Sequence, residues 1–243
     1  MDALYDQTFH HLEKAFRHLE AKVPAPQQTP HINSWVFRYK EKSIHQAMIQ
    51  KLARQVSGLH AARLLCEKGL LQEHAAVQRI LHELHQDTCF LAYAVINKEL
   101  TPLHQTYLGA FYKEELDPTT GDGLLDRPTV LRKKIRAYLA RLDPEKDPSS
   151  AVTMDHTIYS AHSGFIHGAS PQIMEMVGGD PPRFHLHGMS GTRMHDSHRH
   201  DLYYPFFHAI VSFALVAKAF GDEDLFEQQR DWLAQFEKSL RTT

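Results

Sequence analysis

The chain has 243 residues, 42% of them hydrophobic and 23% charged, the proportions of an ordinary folded protein with length enough for a substantial core. Its formal charge of −2 with neutral histidines excludes a globally basic surface of the kind that attracts nucleic acid or an anionic membrane. Two cysteines, Cys66 and Cys89, are too few for a disulfide framework, and acidic Asp2, Asp6 and Glu13 are foreign to a targeting leader, so a reduced, cytoplasmic setting is expected.

Helical periodicity runs through most of the chain, and strand alternation is nearly absent. Leu4, Phe9, Leu12, Phe16 and Leu19 predict a first helix, followed by a proline-containing linker over 24–30. Ile44, Met48, Leu52, Val56, Leu59 and Cys66 form the stripe of a long helix that Gly69 stops, because a helix C-terminus often needs a left-handed residue. Val77, Leu81, Leu84, Thr88, Leu91 and Val95 form the next stripe, and so short a connection predicts an antiparallel helical hairpin. Shorter helices are expected over 103–116 and 128–142, separated by the turn DPTTGDG, with a loop over 143–150. Another helix is expected over 155–167, stopped by Gly168 and Pro171. Two closing helices follow, over 201–220 and 222–240, the second capped by Asp222. The most apolar run, 206–220, is too short to span a bilayer and reads as a core helix. The expected fold is one all-α domain over 1–243, a helical bundle of about seven or eight helices with a long antiparallel hairpin. An N-terminal helix and linker occupy 1–30, and an irregular histidine-rich insertion occupies 178–200, with at most a short strand over 183–187.

Eight of the 19 histidines fall between His156 and His200, and histidine is the side chain most used for metal ligation and proton transfer near neutral pH. At helical spacing His156, Tyr159, Ser163 and His167 share one face, while His162 lies on another. Such a stripe can relay protons, hold a phosphate, or close on itself as an internal hydrogen-bond network, which is the commoner outcome in a bundle. His185 and His187 would point the same way on a strand, and His195, His198 and His200 add nitrogen donors for a divalent metal such as zinc. Their spacing matches no zinc signature, so no cofactor is expected with such a metal as the exception.

Arg193 with His198, and Arg79 with His85, pair the two groups that RNA cleavage needs: a cation for phosphate charge and an imidazole for the proton. Spacing this loose arises often by chance. Arg79, Glu83 and Asp87 form an i,i+4 ladder, expected to be a solvated salt-bridged edge ahead of a buried pair lining a pocket. Arg132, Lys133, Lys134 and Arg136 form the local patch best suited to phosphate backbones, again expected to be a solvated face. There is no P-loop, Rossmann or GxSxG motif, and no DNA-binding signature. Both cysteines fall within helices, where an inert thiol is the default.

Two passages carry a resemblance: EKGLLQEHAAVQRILHELHQDTCFLAYAV, with Arg79-x3-Glu83, and Tyr159-x3-Ser163-x3-His167-Gly168. Together they resemble an uncharacterised bacterial all-helical family, a domain of unknown function distantly similar to the HEPN superfamily, over roughly 35–220. The resemblance implies a helical bundle, often dimeric, in a superfamily whose active members are RNases of toxin and phage-defence systems. Those enzymes carry an Arg-x4–6-His motif at a helix end. His167 is the positional equivalent of that histidine, but Ala161, His162 and Ser163 stand where its arginine belongs.

A homodimeric binding or defence-associated module therefore ranks first. An RNase or nucleotide-phosphate enzyme follows, with His167 as proton carrier and Arg79 or Arg193 as charge stabiliser, and a metal protein comes last. RNA or a nucleotide is the candidate ligand; no membrane is expected. Because histidines titrate between about pH 5 and 8, the net charge turns positive on mild acidification. Solubility or self-association should change over that range in light scattering, and a flat profile refutes this.

Overall fold

Only three residues separate the two longest helices, α2 (Ile44–Glu67) and α3 (Leu71–Ile96), so they fold back on each other. Gly58 meets Leu81, Gln55 meets Leu84 and Lys51 meets Asp87, the register of an antiparallel pair. Gly69 turns the corner at φ +68°, its N–H donating to the Cys66 carbonyl and the Leu70 N–H to that of Leu65. Ser43 starts α2 with a capping box, its hydroxyl accepting from the Gln46 N–H while the Gln46 side chain accepts from the Ser43 N–H.

The structure, a computed structural model, describes residues 2–124, 129–142 and 163–241. Before the hairpin come α1 (Asp2–Glu20) and an antiparallel strand pair, β1 (Gln27–His31) with β2 (Ser34–Arg38). After it come α4 (Pro102–Phe111), α5 (Arg132–Ala140), a helical turn over 163–167, α6 (Ser170–Met174), and two-residue strands β3 (Val177–Gly178) and β4 (Arg183–Phe184). The chain closes with α7 (Arg193–Asp201), α8 (Tyr203–Ala219) and α9 (Glu223–Arg241). The protein is all-α, with nine named helices among the described residues where seven or eight were expected.

Two expectations need correction. The linker over 24–30 runs into a β-ribbon, because Thr29, Trp35, Val36 and Phe37 favour extended backbone and Pro30 is tolerated where a two-stranded ribbon leaves an edge open. The insertion over 178–200 is not irregular throughout. Thr192 caps α7, accepting from the His195 N–H, and His198, Arg199 and His200 crowd the last turn, where positive charge complements the helix dipole. The short strand stops at Phe184, so His185 and His187 share no strand face.

The core lies among α1, α2, α3, α8 and α9, with Phe90, Phe206, Phe213 and Phe236 fully buried. By length and composition the helical run Arg193–Ala219 is long and apolar enough to cross a membrane, but 61% of its apolar window is buried inside the protein. Its α8 part packs in the core through Phe206, Ile210, Phe213 and Val216. Asp222 caps α9 as expected, its carboxylate accepting from the Leu225 N–H at 3.1 Å.

A Cβ at Gly69 would lie 2.4 Å from the Ser190 nitrogen, in a backbone conformation that already costs a non-glycine residue about 1–2 kcal/mol. Gly69→Ala should therefore destabilise by more than that strain alone, read as a lower urea midpoint at unchanged slope.

Candidate functional site

Helix α3 is buried over much of its surface by α2, α8 and α5. Among its buried residues are the polar His74, Arg79, Gln86 and Asp87. Polar groups taken from water need partners, so these residues form either a closed network or a site.

At its centre the Asp87 side chain is only 2% exposed. Lys51 of α2 donates to it at 2.7 Å, and Arg132 of α5 grips it with both terminal nitrogens, one at 3.2 Å and one closer. The Tyr107 hydroxyl of α4 donates to the same carboxylate. Burial alone would raise the Asp87 pKa; the charges of Lys51 and Arg132, and their hydrogen bonds, outweigh it and hold the group below the ordinary carboxylate range. Tyr107, buried beside that negative charge, is pushed far above the usual phenol value. Arg132 also lies 3.5 Å from Glu83, which pairs with Arg79 at 2.6 Å.

Lys51, Asp87, Tyr107, Phe111 and Arg132 line one cavity of about 340 Å³. The Lys51 ammonium sits over the Phe111 ring, 4.8 Å from its centroid. These facts overturn the solvated reading of the Arg79–Glu83–Asp87 ladder, because α5 lies across α3 and covers it. The basic patch divides likewise: Arg132 and Arg136 turn inward, while Lys133 and Lys134 are exposed.

Beside the charged cluster runs a seam of histidines. His85 lies face to face with His208 of α8, ring centroids 4.4 Å apart, and His82 is 5.8 Å from His208. The Ser212 hydroxyl donates to the His208 carbonyl, so it accepts from His85 Nδ1–H at 2.9 Å. Desolvation, then the neighbouring His208 and His82, hold the His85 pKa well below the usual imidazole value. Further along α3, His74 donates from Nδ1 to the Ala62 carbonyl and accepts from Gln78 at Nε2. Its ring lies 5.5 Å from that of His198, and Phe165 stacks edge-on to His198 from the turn over 163–167.

Of the residues singled out from sequence, Arg79 and Glu83 do meet, and His198 joins the seam. Ser163 is half-buried and His167 exposed on the same turn; His156 and Tyr159 lie outside the described residues. No hydrogen bond or ion pair joins His167 to Arg79 or Arg193 among the described residues. His195 is a buried anchor: Nε2–H donates to the Cys66 carbonyl at 2.8 Å while Nδ1 accepts from the Gly191 N–H. His187 and His200 are exposed and His185 is half-buried, and no three or more His, Cys, Asp or Glu side chains among the described residues are arranged to hold a metal. Burial pushes the thiols of Cys66 up to about 11 and Cys89 to about 12, which leaves them protonated at neutral pH.

Lys51, Tyr107, His82 and His208 were not singled out. For Lys51 a signal existed, since it shares the flank of the α2 stripe with buried Gln55. His208 lay within the most apolar run and could be placed only by its neighbours. No protein family, curated protein or solved structure matches the chain.

Asp87→Asn leaves two cations facing a neutral amide and should cost about 3–5 kcal/mol in chemical denaturation. Because the folded-state pKa is depressed, the carboxylate contributes its stability above the unfolded value near 3.9 and loses it as pH falls through the folded one. The Asn variant should lack that part of the acid slope.

Proposed function

We propose that the chain is a HEPN-like helical module of the cytoplasm that binds a phosphate-bearing ligand, RNA or a nucleotide, without cleaving it. The observation that carries this reading is the meeting of Lys51 and Arg132 with Tyr107 and Phe111 around one cavity. Lysine and arginine are the side chains that hold phosphate, the arginine through its fork, and aromatic rings give a base something to stack on. Asp87 holds both cations in position before any ligand arrives, which lowers the ordering cost of binding.

The histidines favour binding over cleavage. A general acid or base works best with a pKa near the working pH, whereas His85 is held well below neutrality. His167 meets no arginine among the described residues, in keeping with the missing Arg-x4–6-His motif. A homodimer, implied by the resemblance, belongs to the same proposal, as does the cytoplasmic setting, with Cys66 and Cys89 unlinked.

Titration of a labelled single-stranded RNA, and separately of a nucleoside monophosphate, tests the reading. Wild type should bind with an affinity that falls as salt rises. Phe111→Ala, and Arg132→Lys, which keeps a charge beside Asp87 but loses the fork, should each weaken binding about tenfold, or 1.4 kcal/mol. Absence of binding, or folded variants that bind like wild type, would sink the proposal. RNA cut by wild type and spared by His167→Ala would return the chain to the ribonucleases.

A further inference from the structure

A second cavity, of about 650 Å³, opens between the first turn of α1, the last turns of α2, and α7. Tyr5 forms part of its wall. The residue is 2% exposed, and its ring is fixed in the core by stacking on Phe206 at 4.4 Å. Its hydroxyl has no hydrogen-bond partner among the described residues. A buried hydroxyl without a partner destabilises a fold, and phenylalanine would fill the same space without that cost.

The charges around this hydroxyl are of two kinds. Arg63 is already engaged, with Asp6 at 2.5 Å and Glu67 at 2.8 Å. Arg199, exposed on α7, enters no ion pair among the described residues, and neither do Asp2 and Asp196, which line the same cavity. His195 sets this arrangement, for its bond to the Cys66 carbonyl pins α7 to the end of α2, and Arg199 lies one turn further along the same face. Burial and then the negative charge of Asp2 push the Tyr5 hydroxyl pKa up to about 12, and Arg63 and Arg199 are close enough to oppose that rise.

We propose that this cavity binds a small zwitterion of the amino-acid or dipeptide class. Its carboxylate accepts from the Tyr5 hydroxyl and the Arg199 fork, its ammonium meets Asp2 and Asp196, and its apolar side chain packs toward Leu202. A bare phosphate ester suits the cavity poorly, since it would face two carboxylates. The Cys66 thiol in the wall stays protonated at neutral pH, so binding is noncovalent. The site is separate from the Lys51–Arg132 cavity, and neither proposal depends on the other.

Isothermal titration of the full chain with leucyl-leucine decides it, with N-acetyl-leucyl-leucine and leucyl-leucinamide as blocked controls. Saturable binding is expected for the free dipeptide, at least about tenfold weaker when either end is blocked. Arg199→Ala, at an exposed and unpaired position, should weaken it by a similar factor with melting temperature unchanged. Tyr5→Phe should weaken binding while leaving the melting temperature equal or higher, a combination that a purely structural tyrosine would not give. The proposal is overturned by the absence of saturable heat, by blocked dipeptides binding as well as the free one, or by both variants binding like wild type.

Discussion

A carboxylate almost fully removed from water in the middle of a helical bundle keeps its charge only if cations are brought to it. Asp87 has Lys51 from α2, Arg132 from α5 and the Tyr107 hydroxyl from α4, so three helices besides its own converge on one side chain. The desolvation cost of such a group exceeds any single contact in the region, and it is offset only when all the partners are in register. Through Arg132 this carboxylate ties α5 to α3, and Arg132 also lies 3.5 Å from Glu83, the partner of buried Arg79.

The histidines divide by the same criterion of satisfied valence. His74, His104 and His195 each donate from one ring nitrogen to a main-chain carbonyl and accept at the other, which makes the ring a cross-link between segments. His104 does this at the start of α4, where its Nδ1 accepts from the Thr101 N–H while Nε2–H reaches the Phe90 carbonyl. In His195 the same chemistry docks the whole segment before α8 onto the helical hairpin. Of the dense run, His195 acts as scaffold, and the same helix presents His195, Asp196, Arg199 and His200 to one cavity.

How much could be read in advance depended on how local the governing force was. The apolar stripes of α2 and α3, the left-handed Gly69 and the cap at Asp222 are settled within one or two helical turns, and each appears in the structure where the periodicity puts it. The β-ribbon was hidden by Pro30 and the prolines just before it, and α7 by residues of low helix propensity whose capping threonine and basic last turn outweigh it. The buried polar residues of α3 were legible as residues but not as a site. Whether Arg79 and Asp87 face water or protein depends on α5, which lies dozens of residues further along the chain.

Sequence by itself determined the all-α class and the antiparallel hairpin, because these rest on the period of apolar residues. Only the tertiary structure decided which charges are buried, that His195 anchors α7 to the end of α2, and that Tyr5, its hydroxyl unpartnered among the described residues, lines one cavity with Arg199. The physical reason is that burial and pairing belong to the contact between elements. A polar side chain carries the same propensity in either setting, and its role is fixed only by the helix that comes to cover it.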